Sequence, residues 1–151
     1  MTDDELAAHL AAEAGRLLLE IQQGGQFEEQ ELGDEGDRVA NNYLCAALRA
    51  ARPDDALLSE EEKDCLSRCA VSRVWIVDPL DGTREYREGR DDWAVHVALA
   101  VDGVPTAGAV ALPGMGITLS SASPPALSAL NEPLKMLVSR TRPAVEAMAV
   151  A

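Results

Sequence analysis

Apolar residues recur at helical spacing near the start of the chain, which predicts a first amphipathic helix. They are Leu6, Leu10, Leu17, Leu18 and Ile21. Thr2 and Glu5 have the form of a capping box at its start, and Gly24-Gly25 is a natural stop. The Gly- and Glu-rich residues 24–36 predict a loop. A second helix is expected from about Asp37 to Ala51, before Arg52-Pro53.

The middle of the chain changes to short apolar and alternating runs, which are typical of strands. We predict strands at 56–58, 73–78, 92–101, 104–112 and 117–120, with a short helix within 61–70. Asp102-Gly103 is a strong hairpin signal, and 121–125 reads as a loop. Helices followed by an antiparallel meander indicate an α+β fold, with helices packed on a mostly antiparallel sheet.

Residues 74–83, Val-Trp-Ile-Val-Asp-Pro-Leu-Asp-Gly-Thr, carry the candidate chemistry. Pro79 has no N–H for a strand ladder, so the strand is expected to stop at Asp78 and to leave Asp78 and Asp81 on a turn. Gly82 allows a tight bend close to a ligand. Paired carboxylates on a rigid turn suit Mg²⁺. The alternative is an Asp-rich loop that caps a helix and binds nothing.

Three further features favour the metal interpretation. Glu60 follows the strand 56–58 and would face Asp78 if that strand lies beside 74–77, although an acidic helix start gives the same pattern. Asp37 is expected at the start of the second helix, where an N-cap is the simpler role. Thr83 offers a hydroxyl close to Asp81, or a cap side chain.

The stretch Trp75–Thr83, W-I-V-D-P-L-D-G-T, resembles the signature of the inositol monophosphatase superfamily. Leu58-Ser59-Glu60-Glu61 is similar to the acidic motif that precedes it there. Thr83–Tyr86 and Gly89–His96 look most like the CysQ-type branch, which consists of 3′(2′),5′-bisphosphate nucleotidases, and within it they most resemble the actinobacterial members. The resemblance extends from the first helix to about Arg142.

The resemblance implies a role for each matching residue. Glu60, Asp78, Asp81 and the backbone carbonyl of Leu80 would hold Mg²⁺. Thr83 and Asp37 would orient and activate the attacking water, and the backbone N–H groups of Gly82 and Thr83 would meet the substrate phosphate. Carboxylates held within about 4–6 Å repel one another strongly unless a cation lies between them, so the grouping also makes physical sense.

The resemblance also implies a domain division. Residues 1–133 would form an N-terminal α+β metal-binding domain, the first half of an αβαβα layered sugar-phosphatase sandwich. Residues 134–151 would begin a second α/β domain, whose opening strand 134–143 resembles. The rest of that domain is expected to be missing, and neither Trp75 nor Trp93 fits its W-D-x-A metal motif. A fold cut there exposes an apolar face, so we expect a homodimer or a separately encoded second half as partner.

The function implied is a Mg²⁺-dependent phosphatase that hydrolyses a phosphomonoester of a small metabolite. The best substrate by resemblance is 3′-phosphoadenosine 5′-phosphate, ahead of inositol monophosphate and fructose 1,6-bisphosphate. The alternative is a non-catalytic truncated remnant or interaction module that retains partial metal binding.

The composition limits the kinds of partner and cofactor that we expect this chain to bind. The chain has 26 acidic and 13 basic residues, a formal charge of −13, which argues against nonspecific nucleic-acid binding. No membrane span or targeting peptide is expected, so we predict a cytoplasmic protein. Cys45, Cys65 and Cys69 predict neither a disulfide framework nor a zinc site. His96 is expected to be a packed or surface strand residue rather than a catalytic base.

Overall fold

The computed structural model describes residues 1–64, 66–126, 136–139 and 144–150, with side chains described up to Ala147. Helix α1 runs from Asp3 to Gly24. The Thr2 hydroxyl accepts the Glu5 N–H at 3.2 Å, and the Thr2 N–H donates to the Glu5 carboxylate at 2.8 Å. Gly25 ends the helix with a left-handed φ of 63°. The predicted capping box and glycine stop are confirmed.

Helix α2 runs from Glu29 to Ala51, so the predicted loop over 24–36 is wrong for most of its length. Asp37 lies inside this helix and does not cap it. Tertiary packing overrides the weak helix propensity of glycine, since Gly33 and Gly36 are buried on the face of α2 that meets the rest of the fold. A Cβ built on Gly36 would lie 2.9 Å from Tyr86 Cε1 and 3.2 Å from Leu80 Cδ2. These glycines therefore allow close approach.

The strands form one sheet whose order follows the chain. Their bounds are β1 Ala56–Ser59, β2 Arg73–Asp81, β3 Ala94–Val101, β4 Val104–Leu112 and β5 Ile117–Ser120. The first pair, β1 and β2, is parallel, and the later pairs are antiparallel. Asp102 and Gly103, with φ of 51° and 78°, form the predicted hairpin turn between β3 and β4. The α+β prediction with a mostly antiparallel sheet is confirmed.

The shorter helices lie between and after these strands. Helix α3 is Thr83–Arg87 and α4 is Val145–Val150. A 3₁₀ helix at Leu66–Ala70 matches the short helix predicted within 61–70, and a second 3₁₀ helix is Pro113–Met115.

One face of the sheet packs on α1 and α2 and forms the core. Trp75, Tyr86 and Trp93 are buried there, and the Tyr86 and Trp93 rings meet edge to face with centroids 5.0 Å apart. The Tyr86 hydroxyl donates to the Leu18 carbonyl at 2.8 Å, which ties α3 to α1. On the opposite face, Ile76 is 41% exposed and Leu119 is 40% exposed. The helices therefore cover one side of the sheet within the described residues.

The end of β2 differs from the sequence prediction. The strand does not stop at Asp78 but continues through Pro79 to Asp81. Asp78 pairs with His96 and Asp81 pairs with Ala94, so β2 has one more residue than β3 in this interval. This is a β-bulge, a position where a strand tolerates a residue without an N–H. Pro79 thus bends the strand instead of ending it.

Some predictions fall wholly or partly outside the described residues. Of the segment 134–143, residues 136–139 lie in no helix or strand, and the others are outside the described part. The division after residue 133 stays a prediction. Cys65 is also outside, whereas Cys45 is buried, Cys69 is exposed and both are free thiols. Among the helices described, none is long and apolar enough to cross a bilayer. The cytoplasmic location stays a prediction.

Candidate active site

The parallel pair β1 and β2 brings the first two acidic residues together. Ser59 lies beside Val77, and the Glu60 N–H donates to the Val77 carbonyl at 3.2 Å. Because both strands run in the same direction, Glu60 follows β1 at the level where Asp78 follows Val77. The side chains of Glu60 and Asp78 line the same cleft. The predicted juxtaposition of these two residues is confirmed.

The bulge in β2 brings Asp81 to the same side. Side chains alternate between the faces of a regular strand, so residues three positions apart would point in opposite directions. The extra residue between Asp78 and Asp81 cancels this alternation. Both carboxylates line a cleft of about 510 Å³ with Glu60 and His96. The His96 Nε2 lies 3.2 Å from the Asp81 Oδ2.

The carboxylates influence one another strongly. Burial raises the pKa of Asp78, and the negative charge of Glu60, its hydrogen bond and the charge of Asp81 raise it further. Burial also raises the pKa of Asp37 to about 7, and the charges of Glu61, Asp78 and Glu60 add to this effect. Asp37 lines a neighbouring cleft of about 310 Å³ with Glu61 and Asn41. The structure thus brings α2 and the ends of β1 and β2 to one acidic centre.

The backbone around Asp81 is tightly organised. The Leu80 N–H donates to the Asp78 Oδ1 at 3.2 Å, and the Thr83 hydroxyl donates to the Leu80 carbonyl at 3.1 Å. Gly82 has a φ of 89°, and a Cβ there would lie 3.2 Å from the Cβ of Trp93. Both the conformation and the close approach require glycine. Gly82 precedes α3, whose first N–H groups have no partner within the helix.

The donor set fits a hard divalent cation by its chemistry, since carboxylate and carbonyl oxygens are the ligands that Mg²⁺ prefers. Its arrangement is not that of a ready-made site. Across the described ranges, no three His, Cys, Asp or Glu side chains are already placed to hold one ion together. Glu60, Asp78 and Asp81 therefore line one cleft without yet forming a coordination shell among the described residues, and Asp81 is held by its contact with His96.

Comparison with known proteins identifies the family of this chain. The sequence profile of the inositol monophosphatase family matches residues 4–150. The chain belongs to that family. It is 47% identical to the 3′-phosphoadenosine 5′-phosphate phosphatase of Mycobacterium leprae (strain TN), over 95% of this chain and 58% of that protein. It is 49% identical to the protein of the same name from Mycobacterium tuberculosis (strain CDC 1551 / Oshkosh), over 87% of this chain and 53% of the relative.

The fold is also similar to that of a solved structure. The extragenic suppressor protein suhB from Bartonella henselae superposes with a TM-score of 0.67 at 27% identity, over 78% of this chain and 46% of that one. The family predicted from Trp75–Thr83 is confirmed. The chain spans about half the length of the curated relatives it matches.

Several polar contacts around the acidic cleft were not predicted from the sequence. Ser59 is buried, donates to Asn41 Oδ1 at 2.7 Å and accepts the Glu61 N–H at 3.3 Å. The Cys45 thiol donates to the same Asn41 oxygen at 3.2 Å. The sequence predicts His96 to be a packed or surface strand residue and gives no sign of its contact with Asp81. The alternation of β3 could have placed His96 on the open face, but its partner depends on the bulge.

Proposed function

We propose that this chain carries the metal- and phosphate-binding part of a Mg²⁺-dependent phosphomonoesterase that acts on a small phosphorylated metabolite. The observation that carries the proposal is the convergence of Glu60, Asp78 and Asp81 on one cleft, with Asp37 beside it. The favoured substrate is 3′-phosphoadenosine 5′-phosphate, because proteins of that description are 47% and 49% identical to this chain.

In this proposal Glu60, Asp78, Asp81 and the Leu80 carbonyl hold Mg²⁺. Burial, and then the negative charges of Glu60 and Asp81, raise the pKa of Asp78, and a bound cation would neutralise those charges. The Leu80 carbonyl already accepts the Thr83 hydroxyl but has a second lone pair. Mg²⁺ bound there would supply the positive charge that offsets the phosphate and lowers the barrier to hydrolysis.

The chain's own residues would handle the proton and the phosphate. Asp37 is partly buried beside these carboxylates, and we assign it to accept a proton from the attacking water. Thr83 approaches α2 closely, since a Cβ on Gly33 would lie 3.0 Å from Thr83 Cγ2. We assign Thr83 to orienting the water with Asp37. The N–H groups of Gly82 and Thr83 would bind phosphate oxygens as α3 begins.

The proposed enzyme is larger than this chain's described part. This chain covers 58% of the length of the Mycobacterium leprae relative and 53% of the length of the Mycobacterium tuberculosis relative. We propose that a homodimer or a separately encoded second half completes the substrate pocket.

The test is phosphate release from 3′-phosphoadenosine 5′-phosphate with Mg²⁺, alone and with the remaining part of the Mycobacterium tuberculosis relative added. Asp78→Asn should abolish release. Asp81→Asn should remove metal affinity and activity together, because it deletes a ligand. Thr83→Ala should leave metal binding nearly intact and slow turnover. Asp54→Asn, at an exposed turn, is the matched control.

The outcomes separate the alternatives from the sequence. Faster release from inositol monophosphate or fructose 1,6-bisphosphate would reassign the substrate. Mg²⁺ binding without release from any of the three compounds would indicate the non-catalytic module. Failure to bind Mg²⁺ at all would contradict the proposal.

A further inference from the structure

We infer that His96 is a positioning residue that holds the Asp81 carboxylate in the orientation needed for cation binding. The inference rests on the proposed function. Its basis is the 3.2 Å contact between His96 Nε2 and Asp81 Oδ2, in the cleft that both residues line with Glu60 and Asp78.

The sheet brings His96 to this place. His96 is directly opposite Asp78 in the register of β2 and β3, on the open face of the sheet. The bulge then adds one residue and returns Asp81 to the same face. One imidazole on β3 therefore lies beside both aspartates of the D-P-L-D stretch.

Asp81 has reason to need such a partner. Its side chain is 61% exposed, so packing does little to select one rotamer. The described structure gives this carboxylate one side-chain hydrogen bond, and His96 makes it. An imidazole that carries a proton on Nε2 donates to Oδ2 and leaves Oδ1 available. Partners that orient carboxylate ligands in this way typically change metal affinity 10–100-fold.

The same contact argues against His96 as a ligand itself. Its Nε2 faces the Asp81 oxygen, and Mg²⁺ prefers oxygen ligands over imidazole nitrogen. His96 thus acts through Asp81.

The test measures Mn²⁺ affinity of the full chain by electron paramagnetic resonance, a readout that does not depend on turnover. His96→Ala should weaken Mn²⁺ binding about 10- to 100-fold. His96→Gln, whose amide N–H occupies a place similar to Nε2–H, should retain most of the affinity. His9→Ala removes the chain's other histidine, exposed on α1, and should change nothing. Circular dichroism establishes that each variant is folded.

A double-mutant cycle tests whether the effect of His96 on Mn²⁺ affinity depends on Asp81. If His96 acts through Asp81, His96→Ala should weaken Mn²⁺ binding less in an Asp81→Glu background, which keeps a carboxylate but displaces it from His96. Wild-type affinity in His96→Ala would overturn this inference and leave the proposed function intact. A directly bound ¹⁴N signal in the wild-type spin-echo spectrum would overturn it in favour of ligation. Absence of Mn²⁺ binding by the wild-type chain would overturn both.

Discussion

Asp37 shows how a single side chain can report on the whole acidic centre. Its pKa is raised to about 7 by burial and then by neighbouring negative charges. A carboxyl whose pKa is higher in the folded than in the unfolded chain favours folding while it is protonated. That contribution is present at low pH and is lost as pH rises through the folded pKa.

We therefore expect the metal-free chain to lose stability between about pH 4 and pH 7. Asp37→Asn should flatten this part of the profile, since the amide does not titrate. Asp78, whose pKa is also raised, should leave a residual slope. Urea unfolding at several pH values measures the effect, with Asp54→Asn as the control. An identical slope in Asp37→Asn and wild type would show that Asp37 is not the titrating group.

At the scale of elements, local signals predicted α1, the Asp102-Gly103 hairpin and β5, because a cap, a turn and a short apolar run each act within a few residues. The start of α2 was not predictable in this way. Gly33 and Gly36 look like loop residues, but their role is to let α2 approach Thr83 and Tyr86, which lie far along the chain. The strand end predicted at Asp78 was wrong for a related reason. Only the pairing of β2 with β3 shows that Pro79 lies in a bulge.

This interpretation of α2 predicts opposite effects at two glycines. Gly36→Ala should destabilise the chain by about 1–3 kcal/mol, because the added methyl meets the buried Tyr86 ring. Gly24→Ala, at the end of α1 with nothing within 4 Å, should be neutral or stabilise by about 0.5–1 kcal/mol. Thermal unfolding of both variants tests this. Equal melting temperatures would mean that the α2 contact is loose.

At the scale of the molecule, the sequence predicted which carboxylates converge but not how they are held. The family signature grouped Glu60 with Asp78, and the parallel pairing of β1 with β2 in the structure supplied the condition that the sequence left open. The contact of His96 with Asp81 and the links among Asn41, Ser59 and Glu61 required three-dimensional register. Such contacts join residues that lie far apart in the sequence or in different elements, so spacing along the chain does not predict them.

The chain has a formal charge of −13, so any salt should relieve some of its internal repulsion. Mg²⁺ bound at Glu60, Asp78 and Asp81 should add stability beyond that screening. At a free concentration of 100 times the dissociation constant, the gain is about 2.7 kcal/mol. We expect Mg²⁺ to raise the melting temperature more than NaCl of equal ionic strength. Asp81→Asn should respond to the two salts alike, whereas Asp54→Asn should keep the difference. If the melting temperature of the wild-type chain also rises equally in the two salts, its acidic centre attracts cations without binding one at a defined site.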